Sequence, residues 1–253
     1  MLYSASRRTD MPAFYPDRIV DRVKRSRKLD GVVLWTKDIR NFINHFSLSS
    51  VIKTVPSVIN FTVTGLAGTA WEPRVPALAD QADALEELGK RLPRGAIRWR
   101  FDPIVATEDW RERFVGVKTL LEQALGTVDE VTVSFPDPYR KAVERVKTAG
   151  LAWPQIGESE KREMLAWMVG QFPAGAAACV RLCCEPDMLN IPGVGMAHCV
   201  DSELFDRLYG TSLGDLGKDA GQRVACGCMK STDIGSYEML CRHGCLYCYA
   251  RPE

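Results

Sequence analysis

Three cysteines near the end of the chain have the spacing of a metal-binding loop. Cys241, Cys245 and Cys248 form a Cys-x3-Cys-x2-Cys pattern, and Gly244 allows the chain between them to turn tightly. Thiolates are soft ligands that select iron–sulfur clusters, zinc or copper(I). Three of them suit a cubane 4Fe-4S cluster with one iron left open, because a closed structural zinc site needs a fourth ligand. His243 is a candidate for that ligand, but its place between the first two cysteines would strain the loop. The alternatives to an open cluster are zinc, a purely structural cluster or free thiols.

Further cysteines lie upstream of this pattern, the first of them at position 179. A candidate second metal site, for another iron–sulfur cluster or a zinc ion, is formed by Cys184, Cys199, Cys226 and Cys228. The alternative is that isolated cysteines such as Cys184 and Cys199 are small buried apolar residues. Cys179 and Cys183 are expected to pack in the core, because a spacing of four on a strand places both on one face.

Composition and charge describe an ordinary globular chain. Its 253 residues include 33 Lys and Arg against 32 Asp and Glu, a formal charge of +1, and 46% are hydrophobic. This balance excludes a protein that coats nucleic acid by bulk electrostatics, although a local basic face stays open. No apolar stretch approaches the ~18 residues that cross a bilayer, and residues 1–10 carry charges where a signal peptide is apolar. We therefore expect a cytoplasmic protein with no membrane partner, in a reducing compartment where clustered cysteines indicate metal binding before disulfides.

Strand-like and helix-like segments alternate along most of the chain. Short β-branched or apolar runs predict six strands, at residues 2–6, 31–36, 58–64, 96–101, 130–135 and 177–183. Apolar residues at spacings of three and four predict helices at residues 17–28, 39–51, 78–92, 110–124, 139–149 and 158–171. Such alternation predicts an α/β fold in which helices cover parallel strands.

Polar residues follow the predicted strands at their carboxyl ends, where folds of this kind carry their chemistry. Asp10, Lys37 and Asp102 are examples, and no Gly-x-Gly-x-x-Gly follows any strand, which disfavours an open dinucleotide-binding sheet. We predict a six-stranded partial TIM-like (β/α) barrel over residues 1–184. Residues 185–253 are predicted to form a cysteine-rich, cluster-binding extension that packs on the barrel mouth and contains a short helix at 202–209. Helix capping is the alternative explanation of residues such as Asp10 and Asp102.

The Cys241, Cys245 and Cys248 pattern, with Tyr247 before its last cysteine, resembles the signature of radical S-adenosylmethionine enzymes. In that superfamily the three cysteines hold a 4Fe-4S cluster in a loop after the first barrel strand, and the open iron is chelated by S-adenosylmethionine. The resemblance implies that an electron, supplied by a donor such as flavodoxin or ferredoxin, releases a 5'-deoxyadenosyl radical that abstracts hydrogen from a substrate. In this chain the pattern comes near the end of the sequence, and the glycine-rich contact to the methionine amine is not recognisable.

Further motifs occur along the chain, namely Ser4-Ala-Ser6-Arg-Arg-Thr-Asp10, Trp35-Thr-Lys37, Trp99-Arg-Phe-Asp102-Pro-Ile104, Lys218-Asp219, Gln222-Arg223, Cys226-Gly-Cys228 and Ser231-Thr-Asp-Ile-Gly235. With the cysteine pattern, they resemble a bacterial domain-of-unknown-function family that pairs an N-terminal Ser-x-Ser-Arg-Arg-Thr-Asp motif with a C-terminal cysteine cluster. This resemblance covers nearly the full length of the chain and implies no particular substrate.

The resemblance to radical S-adenosylmethionine enzymes implies a cofactor-binding site at the strand ends. Tyr247 is expected to pack near the adenine. The candidates for carboxylate and ribose contacts are Lys37, Arg100, Asp102, Arg7, Arg8 and Asp10. A guanidinium binds a carboxylate through two hydrogen bonds, and an aspartate accepts from both ribose hydroxyls. The sequence identifies no catalytic residue that would meet the substrate.

A non-catalytic protein is the competing interpretation. Its cysteines would hold zinc or a structural iron–sulfur cluster, and a basic helix end would contact nucleic acid through Arg22, Lys24, Arg25, Arg27 and Lys28. Cations at a helix C-terminus also complement the helix dipole, which is the simpler explanation of this basic run.

Overall fold

In residues 1–173 and 178–250, which the computed structural model of the chain describes, eight parallel strands form one sheet. The strands are β1 (Leu2–Ala5), β2 (Gly31–Thr36), β3 (Ser57–Thr62), β4 (Ile97–Phe101), β5 (Val131–Val133), β6 (Val180–Leu182), β7 (Val194–Met196) and β8 (Thr232–Asp233). Their order is β7-β6-β5-β4-β3-β2-β1-β8, so strands that are consecutive in the chain are neighbours and β8 lies beside β1. Over these residues the sheet is open, and β7 and β8 are its two outermost strands.

The predicted α/β class is confirmed, but the predicted count of six strands is wrong and a TIM-like barrel is not confirmed. The additional strands are β7 (Val-Gly-Met) and β8 (Thr-Asp). Neither contains a run of β-branched or apolar residues like the runs that predicted β5 and β6, which are also only three residues long. Both additional strands come from residues 185–253, so the sheet continues past the predicted domain boundary, and the division at residue 184 stays a prediction. The predicted sixth strand began at Ala177, which lies outside the described residues.

The connections contain nine α-helices in the described ranges: α1 (Met11–Phe14), α2 (Pro16–Lys24), α3 (Asn41–Asn44), α4 (Phe46–Thr54), α5 (Ala82–Arg91), α6 (Trp110–Leu125), α7 (Arg140–Thr148), α8 (Glu158–Val169) and α9 (Ser202–Tyr209). The helix predicted at 39–51 is divided because His45 has an extended backbone, and its Nδ1 caps α4 by accepting from Leu48 N at 3.2 Å. The helix predicted at 202–209 is confirmed as α9. None of the helices in the described ranges is long and apolar enough to span a membrane.

Most helices pack on one face of the sheet. Successive side chains of a strand point to opposite faces, so each strand supplies alternate residues to this core. Phe61 of β3, Phe101 of β4 and Phe114 of α6 are fully buried there. The rings of Phe101 and Phe114 meet edge to face with centroids 5.2 Å apart, an arrangement that adds to the free energy gained by burial.

The opposite face of the sheet is covered by the part of the chain that follows β7. Val33 of β2 lies in a buried cluster with Phe205 of α9, Cys199, Cys226 and Cys228. The cysteine-rich segment therefore packs directly against the strands.

All the paired strands of the described chain are parallel, so their carboxyl ends lie along one side of the sheet, here called the carboxyl edge. The loops that leave this edge contain the residues singled out in the sequence. The edge brings together loops that are more than two hundred residues apart in the chain, as Ser4 of β1 pairs with Asp233 of β8.

A side chain at Gly31 tests the contact between α9 and the sheet. A Cβ atom there would overlap the ring of Phe205 and approach Leu2 Cδ2 to 3.1 Å. We expect Gly31→Ala to lower the free energy of unfolding by about 1 to 3 kcal/mol, the usual effect of overpacking a core. Urea unfolding followed by circular dichroism measures the change.

Gly116→Ala is the matched control, because a Cβ at Gly116 in α6 meets nothing within 4 Å. This variant should be stabilised by up to about 1 kcal/mol through helix propensity. Equal effects of the two substitutions would contradict the close packing of α9 on β2.

Candidate functional site

The loop that carries Cys241, Cys245 and Cys248, here called the cysteine loop, is fastened to the residues that follow β1. Leu240 O, just before the loop, accepts hydrogen bonds from Thr9 Oγ1 at 3.2 Å and from Tyr15 OH at 2.9 Å. Within the loop, His243 Nε2 donates to Asp10 Oδ2 at 2.8 Å, and both side chains are buried. The His243 ring also packs on Phe14 of α1, with centroids 4.7 Å apart. His243 is thus an anchor of the loop, and this role was not predicted.

Asp10 connects three parts of the edge through one carboxylate. Its Oδ1 caps α1 by accepting from Ala13 N at 3.0 Å. Its Oδ2 accepts from Lys37 N at 2.7 Å and from Thr36 Oγ1 at 3.0 Å, in addition to His243. A buried carboxylate needs such donors, because an ionised group without partners is costly to remove from water. The capping alternative therefore accounts for Asp10, while a cofactor contact by this residue stays a prediction.

The other side of the cysteine loop is fastened to the loop after β3. Leu246 N donates to Trp71 O at 3.0 Å, and Arg74 Nε donates to Arg242 O at 2.5 Å. Gly244 has a φ of 68°, the left-handed region that favours glycine, and a Cβ there would lie 2.7 Å from Arg74 Nη2. The turn therefore favours glycine at this position, and a side chain there would also displace the end of the Arg74 side chain.

A buried polar network lies under the cysteine loop. Lys37 Nζ contacts Glu72 Oε1 at 2.9 Å, and the same carboxylate oxygen accepts from Thr64 Oγ1 at 2.6 Å and from Tyr247 OH. Burial opposes charge on both groups, but the Glu72 carboxylate holds the pKa of Lys37 above its usual value, and Lys37 holds the pKa of Glu72 below its own. Glu72 was not predicted, because an acidic residue in a loop has no signal of its own in a single sequence.

The thiols of the cysteine loop share a buried environment. Burial raises the pKa of Cys241 to about 11 and raises the pKa values of Cys245 and Cys248. The positive charge of Lys37 partly offsets this effect at Cys245 and Cys248. Soft donors next to a buried cation suit an anionic iron–sulfur centre better than they suit a hard cation such as Mg²⁺.

In the described part of the chain, no three His, Cys, Asp or Glu side chains are arranged to hold a single metal ion. A cubane cluster makes a different demand, because each thiolate binds a separate iron of the cluster. The cysteine loop supplies three donors of the required type.

A second set of thiols, here called the five-thiol group, consists of Cys183, Cys184, Cys199, Cys226 and Cys228. Cys183 Sγ lies 3.8 Å from Cys184 Sγ, and both residues pack against the buried cluster that contains Cys199, Cys226 and Cys228. Cys184 is within electrostatic range of Cys226, and Cys199 is within electrostatic range of Cys228. All of these cysteines are free. The four residues proposed from the sequence are thus brought together, with Cys183 added to the group instead of packing apart with Cys179.

Two arginines lie beside the five-thiol group. Arg100 Nη1 donates to Cys199 Sγ at 2.6 Å, and the guanidinium groups of Arg100 and Arg7 lie 4.9 and 5.5 Å from the centre of the Trp35 ring. Hydrogen bonds from Cys199 and Cys226, with the charge of Arg7, lower the pKa of Cys228. Two cations therefore lie beside the thiols of this group.

Asp102 directly follows β4, next to Arg100. Its carboxylate contacts the Arg100 guanidinium and accepts from Ser134 Oγ. Its charge also acts on the pKa of both Cys183 and Cys248, so it is within electrostatic range of each set. Arg8, by contrast, is turned toward residues after β8, where its Nη1 donates to Gly235 O at 3.0 Å.

Two clefts of the described surface lie away from the thiols. One, of about 460 Å³, lies at the amino ends of β4 and β5, opposite the carboxyl edge, and is lined by residues such as Arg94, Asp129 and Glu130. The other, of about 430 Å³, lies between α2 and β8 and combines Arg18, Arg22 and Arg25 with Asp21 and Asp233. Neither contains a cysteine, so cavity size alone does not indicate the site.

The Lys37–Glu72 pair gives a test of the network under the cysteine loop. We expect Glu72→Gln to lower the free energy of unfolding at pH 7 by about 3 to 5 kcal/mol, because it leaves the Lys37 ammonium buried without its counter-charge. In the folded chain the pKa of Glu72 is below 4.5, its ordinary value. As the pH falls below 4.5, wild-type protein loses the stability that the ionised Glu72 contributes, so the difference in the free energy of unfolding between wild type and Glu72→Gln should narrow. Urea unfolding between pH 3 and 7 measures both effects.

Glu86→Gln is the control for that experiment. It removes an exposed carboxylate that pairs with Lys90 on α5, and no measurable change is expected. A loss of stability in Glu72→Gln no larger than in Glu86→Gln would contradict the buried pair.

Comparison with curated proteins and with solved structures finds no match to this chain. A family model described as a domain of unknown function, DUF1848, matches residues 2–250. This match agrees with the expected domain-of-unknown-function family, whereas the sequence motifs quoted for that family stay predictions. Because the match covers nearly the whole chain, the protein belongs to the DUF1848 family.

Proposed function

We propose that this protein is a radical S-adenosylmethionine-type enzyme in which Cys241, Cys245 and Cys248 bind a 4Fe-4S cluster. The observation that supports the proposal is one loop with three buried or half-buried thiols, fixed at the carboxyl edge of a parallel sheet by the buried His243–Asp10 pair. When bound, such a cluster supplies the electron that cleaves S-adenosylmethionine to a 5'-deoxyadenosyl radical, which takes hydrogen from a substrate that stays unidentified.

The residues around the loop hold its thiols in place. Thr9 and Tyr15 fix the chain before Cys241, and Trp71 fixes the backbone between Cys245 and Cys248. Ligand residues on a rigid frame lose little conformational entropy on binding a cluster. The frame therefore favours a site that is formed before the cluster arrives.

Lys37 gives the site its electrostatic character. Its ammonium lies within range of Cys245 and Cys248 and 5.8 Å from the centre of the Tyr247 ring. A positive charge beside thiolates stabilises the anionic cluster and would attract the carboxylate of S-adenosylmethionine. Glu72 and Tyr247 position this ammonium, so Tyr247 has a role in the site besides the proposed adenine contact.

The remaining proposed contacts to S-adenosylmethionine already have partners in the protein. Arg8 is bound to Gly235 O, Arg7 lies 3.6 Å from Asp219, and Arg100 is paired with Asp102. Cofactor binding by these groups would share or replace such contacts. Asp102 is the strongest of these candidates for the ribose hydroxyls, since it stands within electrostatic range of Cys248.

The first test measures the metal and its response to the cofactor. Protein purified without oxygen is analysed for iron, sulfide and zinc, and the dithionite-reduced protein is examined by electron paramagnetic resonance with and without S-adenosylmethionine. We expect iron, sulfide and a reduced-cluster signal that changes when S-adenosylmethionine is added, because an open iron can accept its amino and carboxylate groups. Cys245→Ser should lose the responsive signal.

Cys179→Ser is the matched control. Cys179 is also buried, but it lies just before β6, at the amino end of that strand, where its Sγ contacts Gly193 O at 3.8 Å. It should keep the responsive signal. Zinc without iron or sulfide, or a cluster indifferent to S-adenosylmethionine, would instead favour a non-catalytic metal-binding protein.

The second test measures turnover. Reduced protein, supplied with electrons by dithionite or by a flavodoxin- or ferredoxin-type donor, should convert S-adenosylmethionine to 5'-deoxyadenosine. Asp102→Asn should retain the wild-type iron content and lower the rate, because the neutral amide is a weaker acceptor for ribose hydroxyls. The formation of 5'-deoxyadenosine is followed by chromatography. Complete absence of this product from wild-type protein with full iron content would rule out the proposal.

A further inference from the structure

We propose that the five-thiol group binds a second iron–sulfur cluster, with Cys184, Cys199, Cys226 and Cys228 as its ligands. This inference concerns a site apart from the cysteine loop and does not depend on cleavage of S-adenosylmethionine. It is supported by the arrangement of the thiols, by the rigidity of the backbone that carries them, and by two cations that face them.

The thiols come from three separate segments of the chain. Cys183 and Cys184 follow β6, Cys199 follows β7, and Cys226 and Cys228 lie on the segment before β8. Cys183 Sγ lies 3.8 Å from Cys184 Sγ, and both residues pack against the buried cluster that contains Cys199, Cys226 and Cys228. A core needs only apolar volume at these positions, which alanine or valine would supply, so packing does not explain five adjacent thiols.

The segments are held against each other independently of the sulfurs. His198 Nδ1 is hydrogen-bonded to Gly227 O at 2.6 Å, and Asn60 Nδ2 donates to Cys199 O at 3.0 Å. A Cβ at Gly227 would lie 2.7 Å from Ala197 O, so only glycine allows this approach. The backbone therefore presents Cys199, Cys226 and Cys228 in fixed positions, as a cluster site requires.

Two guanidinium groups supply positive charge at the thiols. Arg100 is buried, and its Nη1 donates to Cys199 Sγ at 2.6 Å. Arg7 lies within electrostatic range of Cys228, and among the described residues its buried Nη2 has no hydrogen-bond partner. A buried donor without a partner is costly. Each arginine also has a carboxylate partner, Asp219 for Arg7 and Asp102 for Arg100. Thiolates and sulfides of an anionic cluster would provide the acceptor that Arg7 Nη2 lacks and would add negative charge beside both guanidinium groups.

A cluster fits the group better than a mononuclear zinc ion. Over residues 1–173 and 178–250, no three Cys, His, Asp or Glu side chains surround one position as single-ion ligands would. In a 4Fe-4S cluster four thiolates each bind their own iron, so they need not converge on one point.

Cys184, and not its neighbour Cys183, is assigned as the fourth ligand. Cys184 has a φ of 62° and lies within electrostatic range of Cys226. A non-glycine residue in the left-handed region is strained, and such strain is retained where a side chain must point in one direction. Cys183 is the adjacent thiol and directly follows β6.

The experiment isolates the second site by removing the first. The variant C241S/C245S/C248S, purified without oxygen, should contain about four irons and four sulfides per chain. Its reduced electron paramagnetic resonance signal should not respond to S-adenosylmethionine. Addition of Cys184→Ser to this variant should abolish the iron, whereas addition of Cys183→Ser, one residue away, should retain it.

Arg7→Gln in the same background supplies a measurement that does not depend on losing a ligand. It should keep the iron content and shift the midpoint potential of the cluster to a lower value, because a positive charge that favours the reduced form is removed. Circular dichroism and gel filtration verify that each variant is folded.

Zinc in place of iron, or no metal in the C241S/C245S/C248S variant, would overturn the inference. Retention of iron by the Cys184→Ser addition would overturn the assigned ligand set. The C241S/C245S/C248S variant could hold the second cluster while wild-type protein never yields 5'-deoxyadenosine. In that case the proposed function fails and this inference stands, so the two failures are distinguishable.

Discussion

The buried carboxylate of Asp10 is the interaction on which the candidate site depends. It caps α1, receives the backbone N–H of Lys37 after β2, and holds His243 of the cysteine loop. One side chain thereby joins the loops after β1 and β2 to a loop 233 residues further along the chain. An ionised group in this position tolerates no loss of its donors, because each of them offsets part of the cost of burying the charge. The geometry of the cysteine loop is therefore linked to the start of the chain.

Each set of thiols has its own source of positive charge. Lys37, positioned by Glu72, faces the cysteine loop, while Arg7 and Arg100 face the five-thiol group. Asp102 stands within electrostatic range of both sets and is bound to Arg100. Each of these cations has a carboxylate partner, Glu72 for Lys37, Asp102 for Arg100 and Asp219 for Arg7, which offsets the cost of its burial. Each also lies beside thiols, where it would stabilise a further negative group. The same charge distribution would favour two anionic centres on one edge of the sheet.

The positions of the long strands and helices could be predicted because their side-chain periodicity is local. The helix at 202–209 was correct to the residue. Strands β7 (Val-Gly-Met) and β8 (Thr-Asp) were missed because neither contains a run of β-branched or apolar residues. Within the site, the spacing of Cys241, Cys245 and Cys248 was visible in the sequence. Glu72 and the anchoring role of His243 were not, because each is defined by a contact between residues distant in the chain. Long-range pairs of this kind have no signature in a single sequence.

The order of the strands explains how a cysteine motif near the end of the sequence can serve the first strand. β8 pairs with β1 in parallel, Tyr3 with Thr232 and Ser4 with Asp233, so the chain leaves both strands at the same edge of the sheet. The residues after β8 continue into the cysteine loop, which bonds to Thr9, Asp10 and Tyr15 in the segment after β1. In radical S-adenosylmethionine enzymes, which the motif resembles, the cysteines lie in that segment itself. A parallel neighbour of β1 brings a loop to the same place without any change in sheet geometry, so the displaced motif is compatible with the same chemistry.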